Sequence, residues 1–263
     1  MRIYIVPIGI ESSTGGYYAP ILDDGRFIFI PIPETNPKFS VHHPKHQEFI
    51  FDLERFHKRF HKNLYNLKPY NEISIKPWPE FTTIKKQGDF LGKHNYNGYP
   101  LNSYIPHFDP EFKTFTYGEG SQNKAKTLSS LKEGDILAFY MSLMPPFKNK
   151  AKGKFIVGYF TIETIFDYRF GNQKLDYKFI DNRIKNNMHI IRRDEEPVIA
   201  VGKKSESRLF EHALQFTDEK WEILPNIIKR IDWQFKTKKL IRGTRILKEE
   251  NSEKFKELII THN

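Results

Sequence analysis

The stretch Gly134-Asp135-Ile136-Leu137-Ala138-Phe139-Tyr140, followed after the loop Pro145 to Lys154 by the run Phe155 to Phe166, decides how this chain folds. Five consecutive apolar residues behind a Gly-Asp turn read as a buried strand. The second run is rich in Phe, Ile, Thr and Tyr, the aromatic and β-branched types that suit a pleated surface. Together they predict a β-hairpin spanning residues 135 to 166.

Working outward, Met1-Arg2-Ile3-Tyr4-Ile5-Val6 opens a first strand running to Ile10, and the polar turn Glu11-Ser12-Ser13-Thr14-Gly15-Gly16 follows it. Asp23-Asp24-Gly25-Arg26 makes a hairpin-type turn into Phe27-Ile28-Phe29-Ile30, which Pro31 and Pro33 close. Phe49, Leu53, Phe56, Phe60 and Leu64 recur every three to four residues, the spacing of an amphipathic helix over 46 to 65. Residues 68 to 120 are the longest irregular stretch, rich in Pro, Gly, Asn and Tyr. Further on, Lys124 to Leu131 and residues 178 to 187 read as helices, and Pro197 to Gly202 as a strand. A polar turn, Lys203 to Ser207, leads into a helix-like Arg208 to Phe216, and one or two short helices fill the tail from 218 to 263. Hairpins mixed with segregated helices give an α+β fold: a curved mixed or antiparallel sheet with flanking helices. No repeat or low-complexity linker divides the chain, so residues 1 to 263 read as a single domain.

Cysteine is absent, which excludes disulfides, thiol nucleophiles and Cys-ligated metal sites. No apolar run approaches the roughly 20 residues that span a bilayer, and the opening strand lacks a cleavage site, so the chain reads as cytoplasmic, without a membrane partner. Its 42 Lys and Arg outnumber 32 Asp and Glu, a net charge of +10 that favours anionic partners, nucleic acid first. The basic residues are dispersed in separate clusters, among them Lys58-Arg59, Lys85-Lys86, Lys203-Lys204 and Lys236 to Lys239. A solubility habit would give the same composition, which keeps open a structural or regulatory protein that touches no nucleic acid.

Among motifs, the Walker phosphate loop, a post-strand G-x-G-x-x-G, the G-x-S-x-G elbow and H-E-x-x-H are all missing, which argues against ordinary nucleotide hydrolases and dinucleotide enzymes. His57 and His61 lie one helical turn apart, with His42, His43 and His46 nearby, but a Lys/Arg-rich helix repels a dication. They read as surface histidines, and no metal site and no cofactor is assigned. Two polar turns are more suggestive. Glu11 to Gly16 follows a strand directly, so its amides and hydroxyls suit an anion and Glu11 suits a base. Ser205-Glu206-Ser207-Arg208 falls at the expected start of a helix, where exposed amides attract phosphate and Arg208 adds a bidentate contact, although plain N-capping explains the serines equally. His107-Phe108-Asp109-Pro110 offers an imidazole and a carboxylate two residues apart. Around it Tyr96, Tyr99, Tyr104, Phe108, Phe115 and Tyr117 interleave with Lys and Asn, as in a base-stacking surface or an aromatic core.

These residues resemble a known family. Gly9-Ile10-Glu11-Ser12-Ser13-Thr14-Gly15-Gly16, Ala19-Pro20-Ile21, Asp24-Gly25-Arg26 and Pro31-Ile32-Pro33 are similar to the opening of the third of the nucleotide-modification-associated domain families. The likeness continues through His107-x-Asp109-Pro110, Gly118, Leu128, Leu131, Gly134-Asp135-x-Leu137-x-Phe139, Gly158-Tyr159-Phe160 and Ser207-Arg208-Leu209-Phe210. It covers at least residues 1 to 215. The resemblance implies a protein that modifies bases in DNA. It departs from the family at Glu11, where many members carry Asp, and at Glu119, where members often carry Gln.

The strand after Gly134-Asp135 and the segment Gly153 to Tyr159 also look like the small β-barrel readers of the PUA, EVE and ASCH kind. A PUA-like barrel is therefore one form the sheet can take, and a non-catalytic reader of modified DNA or of RNA is the alternative function. The assignment carried forward is action on a base in nucleic acid, DNA before RNA. Glu11, Ser12 and Ser13 stand near the reacting base, and His107 and Asp109 serve as acid and base. Tyr117 stacks, and Lys126, Lys204, Ser207 and Arg208 meet phosphate. Glu11, Ser13, His107 and Asp109 are expected to line one concave site with Arg208 at its rim.

Overall fold

The computed structural model describes residues 1–10, 18–27, 29–34, 44–45, 95–96, 99–100, 103–120, 122–145, 152–169, 175–176, 179–233, 238–240, 245–247 and 249–262. In chain order their strands are β1 (Ile3–Pro7), β2 (Ala19–Pro20), β3 (Ile32–Pro33), β4 (Asn95–Tyr96), β5 (Tyr99–Pro100), β6 (Pro106–His107) and β7 (Thr116–Glu119). After helix α1 (Gln122–Ser129) come β8 (Ile136–Met144), β9 (Gly153–Asp167), helix α2 (Met188–Ile191), β10 (Val198–Gly202) and β11 (Arg208–Gln215). Helix α3 (Pro225–Ile231), β12 (Arg245–Leu247) and helix α4 (Glu249–Ile260) end the order.

The expected hairpin is the centre of the molecule. β8 and β9 pair antiparallel from Ile136↔Thr161 to Leu143↔Gly153, with a bulge between Phe139 and Tyr140. β9 is 15 residues long and changes partner along its other edge: β11 lies against its first half and β10 against its second. β1 runs parallel to β8 and antiparallel to β12, β2 runs parallel to the end of β8, and β7 closes the other end on β10, giving an eight-stranded mixed sheet. Among the described residues this sheet is open and does not close into a barrel. The structure is α+β, as read from the sequence.

Period-two alternation divides the core between the faces of the sheet. Tyr4, Val6, Leu137, Phe139 and Phe160 point to one face, where Ala125 and Leu128 of α1 also pack. Ile3, Ile5, Ile136, Ala138 and Tyr140 point to the other, covered by Ile227 and Ile231 of α3 and Phe255, Leu258 and Ile259 of α4. A sheet covered on both sides has strands that read as continuous apolar runs, which is why residues 136–140 stood out. Asp135 pins the entry of β8 to β1: its carboxylate accepts from the Arg2 backbone N–H at 2.7 Å, the Arg2 guanidinium at 2.8 and 3.1 Å, and the Lys132 N–H at 2.9 Å.

Three expectations are corrected. Residues 208–215 form strand β11 instead of a helix, because the outer edge of β9 beside Phe155 to Tyr159 needs a hydrogen-bonding partner, and sheet pairing outweighs local preference. Ser205 to Arg208 therefore does not open a helix. Residues 181–187 are turns, and the helix starts only at Met188, where Asn187 caps it. Phe27 forms an isolated bridge to Ile21, and neither Phe29 nor Ile30 lies in a strand, although the Asp23 to Arg26 turn is present. The expected helix over 46–65 lies outside the described residues. No helix among them is long and apolar enough to cross a membrane.

Candidate functional site

Two very short strands set the first wall of the site. β3 and β6 pair with Ile32 opposite His107 and Pro33 opposite Pro106, and the Glu34 N–H donates to the Ile105 carbonyl at 3.0 Å. This register brings the Glu34 carboxylate to 2.9 Å from His107 Nδ1. Two residues on, Asp109 folds back so that its N–H donates to the His107 carbonyl at 2.9 Å. Its carboxylate accepts from the Gly118 N–H in β7, 2.8 Å to Oδ1 and 3.1 Å to Oδ2, with the Asn187 amide 3.4 Å from Oδ1.

The second wall is α2. Asn187 is fully buried, and its side-chain oxygen accepts from the His189 N–H at 3.0 Å, which starts the helix and orients His189. His189 Nδ1 lies 2.7 Å from Asp194, and its Nε2 lies 3.3 Å from Asp109 Oδ2. His107 Nε2 lies 3.8 Å from the same oxygen, too far for a hydrogen bond but within charge contact. The two rings meet edge to face, 5.1 Å between centroids. Arg192 ties the walls together, donating to Glu34 at 2.8 Å and to Asp194 at 2.7 and 3.0 Å. Gly118 is essential to this approach, because a Cβ there would sit 2.4 Å from the His189 ring and 2.7 Å from the Asn187 oxygen.

These groups open into a cleft of about 700 Å³, bordered also by Pro7 to Gly9 at the end of β1 and by Tyr117, Glu119 and Lys124. The Tyr117 hydroxyl donates to Glu119, and the Lys124 ammonium is 3.6 Å from the same carboxylate. Burial raises the Glu119 carboxyl, and Lys124 and Tyr117 only partly oppose it. Burial would likewise lower His189, yet the hydrogen bonds and charges of Asp109 and Asp194 prevail and raise it to about 9. Burial disfavours the ionised forms of Asp109, Glu34 and Asp194, but their histidine and arginine partners hold all three below the usual range, Asp194 at about 2. For His107, too, burial is outweighed by Asp109 and Glu34, and its pKa is raised. His107, Asp109 and His189 each offer one ligand atom, and the three atoms lie within 4.8 Å of one another.

The family described as nucleotide modification associated domain 3 matches the chain over residues 2–254. The chain belongs to that family. No curated protein and no solved structure matches it.

Within this nucleotide modification associated domain, His107 and Asp109 sit in one cleft with Tyr117, three of the residues singled out from the sequence. Tyr117 is 5 % exposed and its ring packs on Phe139, so it presents its hydroxyl edge to Glu119. The neighbouring aromatics belong to the core as well: Tyr104 is buried and Phe115 packs on Phe160. Glu11, Ser12 and Ser13 lie outside the described residues. Lys126 is exposed on α1, and Lys204 and Arg208 are exposed on and after the turn into β11. Ser207 accepts a hydrogen bond from the Thr161 N–H at 3.2 Å. None of these four borders the cleft. Sequence reading missed His189, Asp194, Arg192, Glu34 and Asn187. His189-x-x-Arg192-x-Asp194 was the available signal, a polar set that begins inside the apolar Met188 to Ile191 segment and continues past it.

Proposed function

We propose that this protein modifies a base in nucleic acid, DNA before RNA, and that the chemistry takes place in the His107–Asp109–His189 cleft. The observation that carries the reading is the convergence of imidazoles and carboxylates from four distant segments in a cavity of about 700 Å³, in a chain of this family. That volume suits a nucleoside-sized ligand. A base reaches such a cleft only when taken out of its stack, and polar groups on the walls then meet its edge.

Roles follow from the environments. Glu119, whose carboxyl burial raises and which Tyr117 holds, is the proton donor and acceptor in the cleft. Arg192 supports the two walls from behind. Glu11, Ser12 and Ser13 follow Ile10 in the chain, and Gly9 borders the cleft, which supports their approach to the same substrate. Lys126, Lys204, Ser207 and Arg208 serve as phosphate contacts outside the cleft, in keeping with the charge of +10. The family match over 2–254 supports reading residues 1–263 as one domain, and the chain's lack of cysteine supports a cytoplasmic setting.

The test is nucleoside mass spectrometry of DNA and RNA from cells with the gene, without it, and with Glu119→Gln. A nucleoside that disappears without the gene and in the variant supports the reading. Unchanged nucleosides together with tight binding of a modified oligonucleotide would make the protein a reader.

A further inference from the structure

Each of the two histidines uses its rear nitrogen on a carboxylate and aims its other nitrogen at one shared oxygen. Ionised Glu34 and Asp194 accept hydrogen bonds only, so Nδ1 of His107 and of His189 must carry the proton. That leaves Nε2 of each ring facing Asp109 Oδ2, at 3.8 and 3.3 Å, and available to a metal once its proton is displaced. Two ligand atoms each about 2.1 Å from one ion, at a tetrahedral angle, stand about 3.4 Å apart. The observed spacings of 3.3 and 3.8 Å fall around that value, so an ion can take the place of the protons that otherwise lie between Nε2 and the carboxylate oxygen.

The surroundings have the form that metal ligands need. Carboxylates behind histidines orient the ring and raise its basicity, and ligating carboxylates are themselves hydrogen-bonded. Here Glu34 and Asp194 stand behind the histidines, Asn187 holds Asp109 through Oδ1, and the Gly118 N–H holds it through Oδ1 at 2.8 Å and Oδ2 at 3.1 Å. Arg192 joins the two rear carboxylates. Three carboxylates against one guanidinium leave two unit charges, which either two imidazolium protons or one divalent ion in their place can balance. All three ligands border the cleft, so the remaining coordination positions face the cavity.

We propose that His107 Nε2, His189 Nε2 and Asp109 Oδ2 bind one divalent transition-metal ion, Zn²⁺ or Fe²⁺, with open positions toward the cleft. Two imidazoles in a set of three select such ions over Mg²⁺ and Ca²⁺, which take oxygen ligands. The inference deepens the proposed function and rests on it for what the ion does, because the open positions are where a water or a substrate oxygen would be activated. Ion binding itself is measured without nucleic acid, so the two readings fail separately.

The experiment is calorimetric titration of the chelator-stripped full chain with Zn²⁺, with anaerobic Fe²⁺ and with Mg²⁺, and with Co²⁺ followed by its visible absorption. The expected result is one Zn²⁺ or Fe²⁺ per chain, no competition by equal Mg²⁺, and a Co²⁺ spectrum that Zn²⁺ displaces. His189→Ala and Asp109→Asn should abolish binding, and Asp194→Asn, which keeps shape and removes charge, should weaken it by about 10–100-fold. Circular dichroism checks that each variant is folded, and the native titration stands whatever the variants do. Failure of the native chain to saturate with either ion overturns the proposal, as does binding that survives unchanged in both folded ligand variants. Metal bound by a chain that changes no nucleoside would retain the site and discard the proposed function.

Discussion

Around Phe139 and Phe160 the β8–β9 hairpin buries aromatic rings against one another, 4.6 Å between centroids and joined by Phe112 and Tyr117. The cleft beside it encloses His107, His189, Asp109 and Glu34, backed by the half-buried Arg192 and Asp194. The hairpin gains stability by removing apolar area from water, and every contact adds to it. The cleft must first overcome the desolvation of several charges, and it does so only through specific pairings, which prevail for His107, His189, Asp109, Glu34 and Asp194 but not for Glu119. A chain that needed nothing but stability would fill the space under β7 and α2 with apolar side chains. The difference shows which region holds the fold and which region the fold exists to hold.

The largest effect is expected in the hairpin. Phe139→Ala leaves a cavity among three rings, and such truncations cost about 3–5 kcal/mol. Urea unfolding should show the loss, while the folded fraction keeps its binding in the cleft. A loss under about 1 kcal/mol would mean that the aromatic cluster is not the structural centre.

A smaller effect falls at the junction of the two regions. Gly118 lies in β7, whose N–H serves Asp109 while the missing side chain lets His189 approach. Gly118→Ala places a methyl against the imidazole and the Asn187 amide, and overpacking of this kind costs about 1–3 kcal/mol. Binding in the cleft should fall much further than stability, because His189 must move. Equal and slight changes in both would mean that the cleft tolerates displacement, and the contrast between a rigid core and a tightly positioned site would not stand.

How far each region was legible follows from the range of its interactions. The hairpin announces itself in consecutive residues, since a strand buried on both faces is a local pattern. Arg208 to Gln215 misled because its apolar spacing fits a helix, and only the open edge of β9 makes it a strand. In the cleft, His107 and Asp109 were visible as a polar pair two residues apart. Their partners were not. Glu34 reaches His107 across 73 residues through two-residue strands, shorter than any periodicity window, and Arg192 reaches Glu34 across 158. His189 sits among Met188, Ile190 and Ile191, where composition speaks for packing. Its role depends on Asn187 and Gly118, whose contributions are a cap and an absence of side chain.

The smallest effect on the fold belongs to the exposed basic residues, which belong to neither region. Lys126, Lys204 and Arg208 are all exposed, and none borders the cleft. Substitutions at such positions change stability by no more than about 0.5 kcal/mol. Replacing all three with alanine should therefore leave the unfolding curve and the cleft's small-ligand binding as they were. Binding to duplex DNA should change in one particular way. Each phosphate contact releases condensed counterions, so each one lost lowers the steepness of log K against log salt by about 0.9. Three contacts removed would flatten the slope by roughly three times that amount while sequence preference stays the same, since phosphate contacts position the duplex without reading it. An unchanged slope would place the nucleic-acid path on another face. Loss of cleft binding alongside a flatter slope would show that the surface and the cleft are coupled, and that the cleft is not an independent unit.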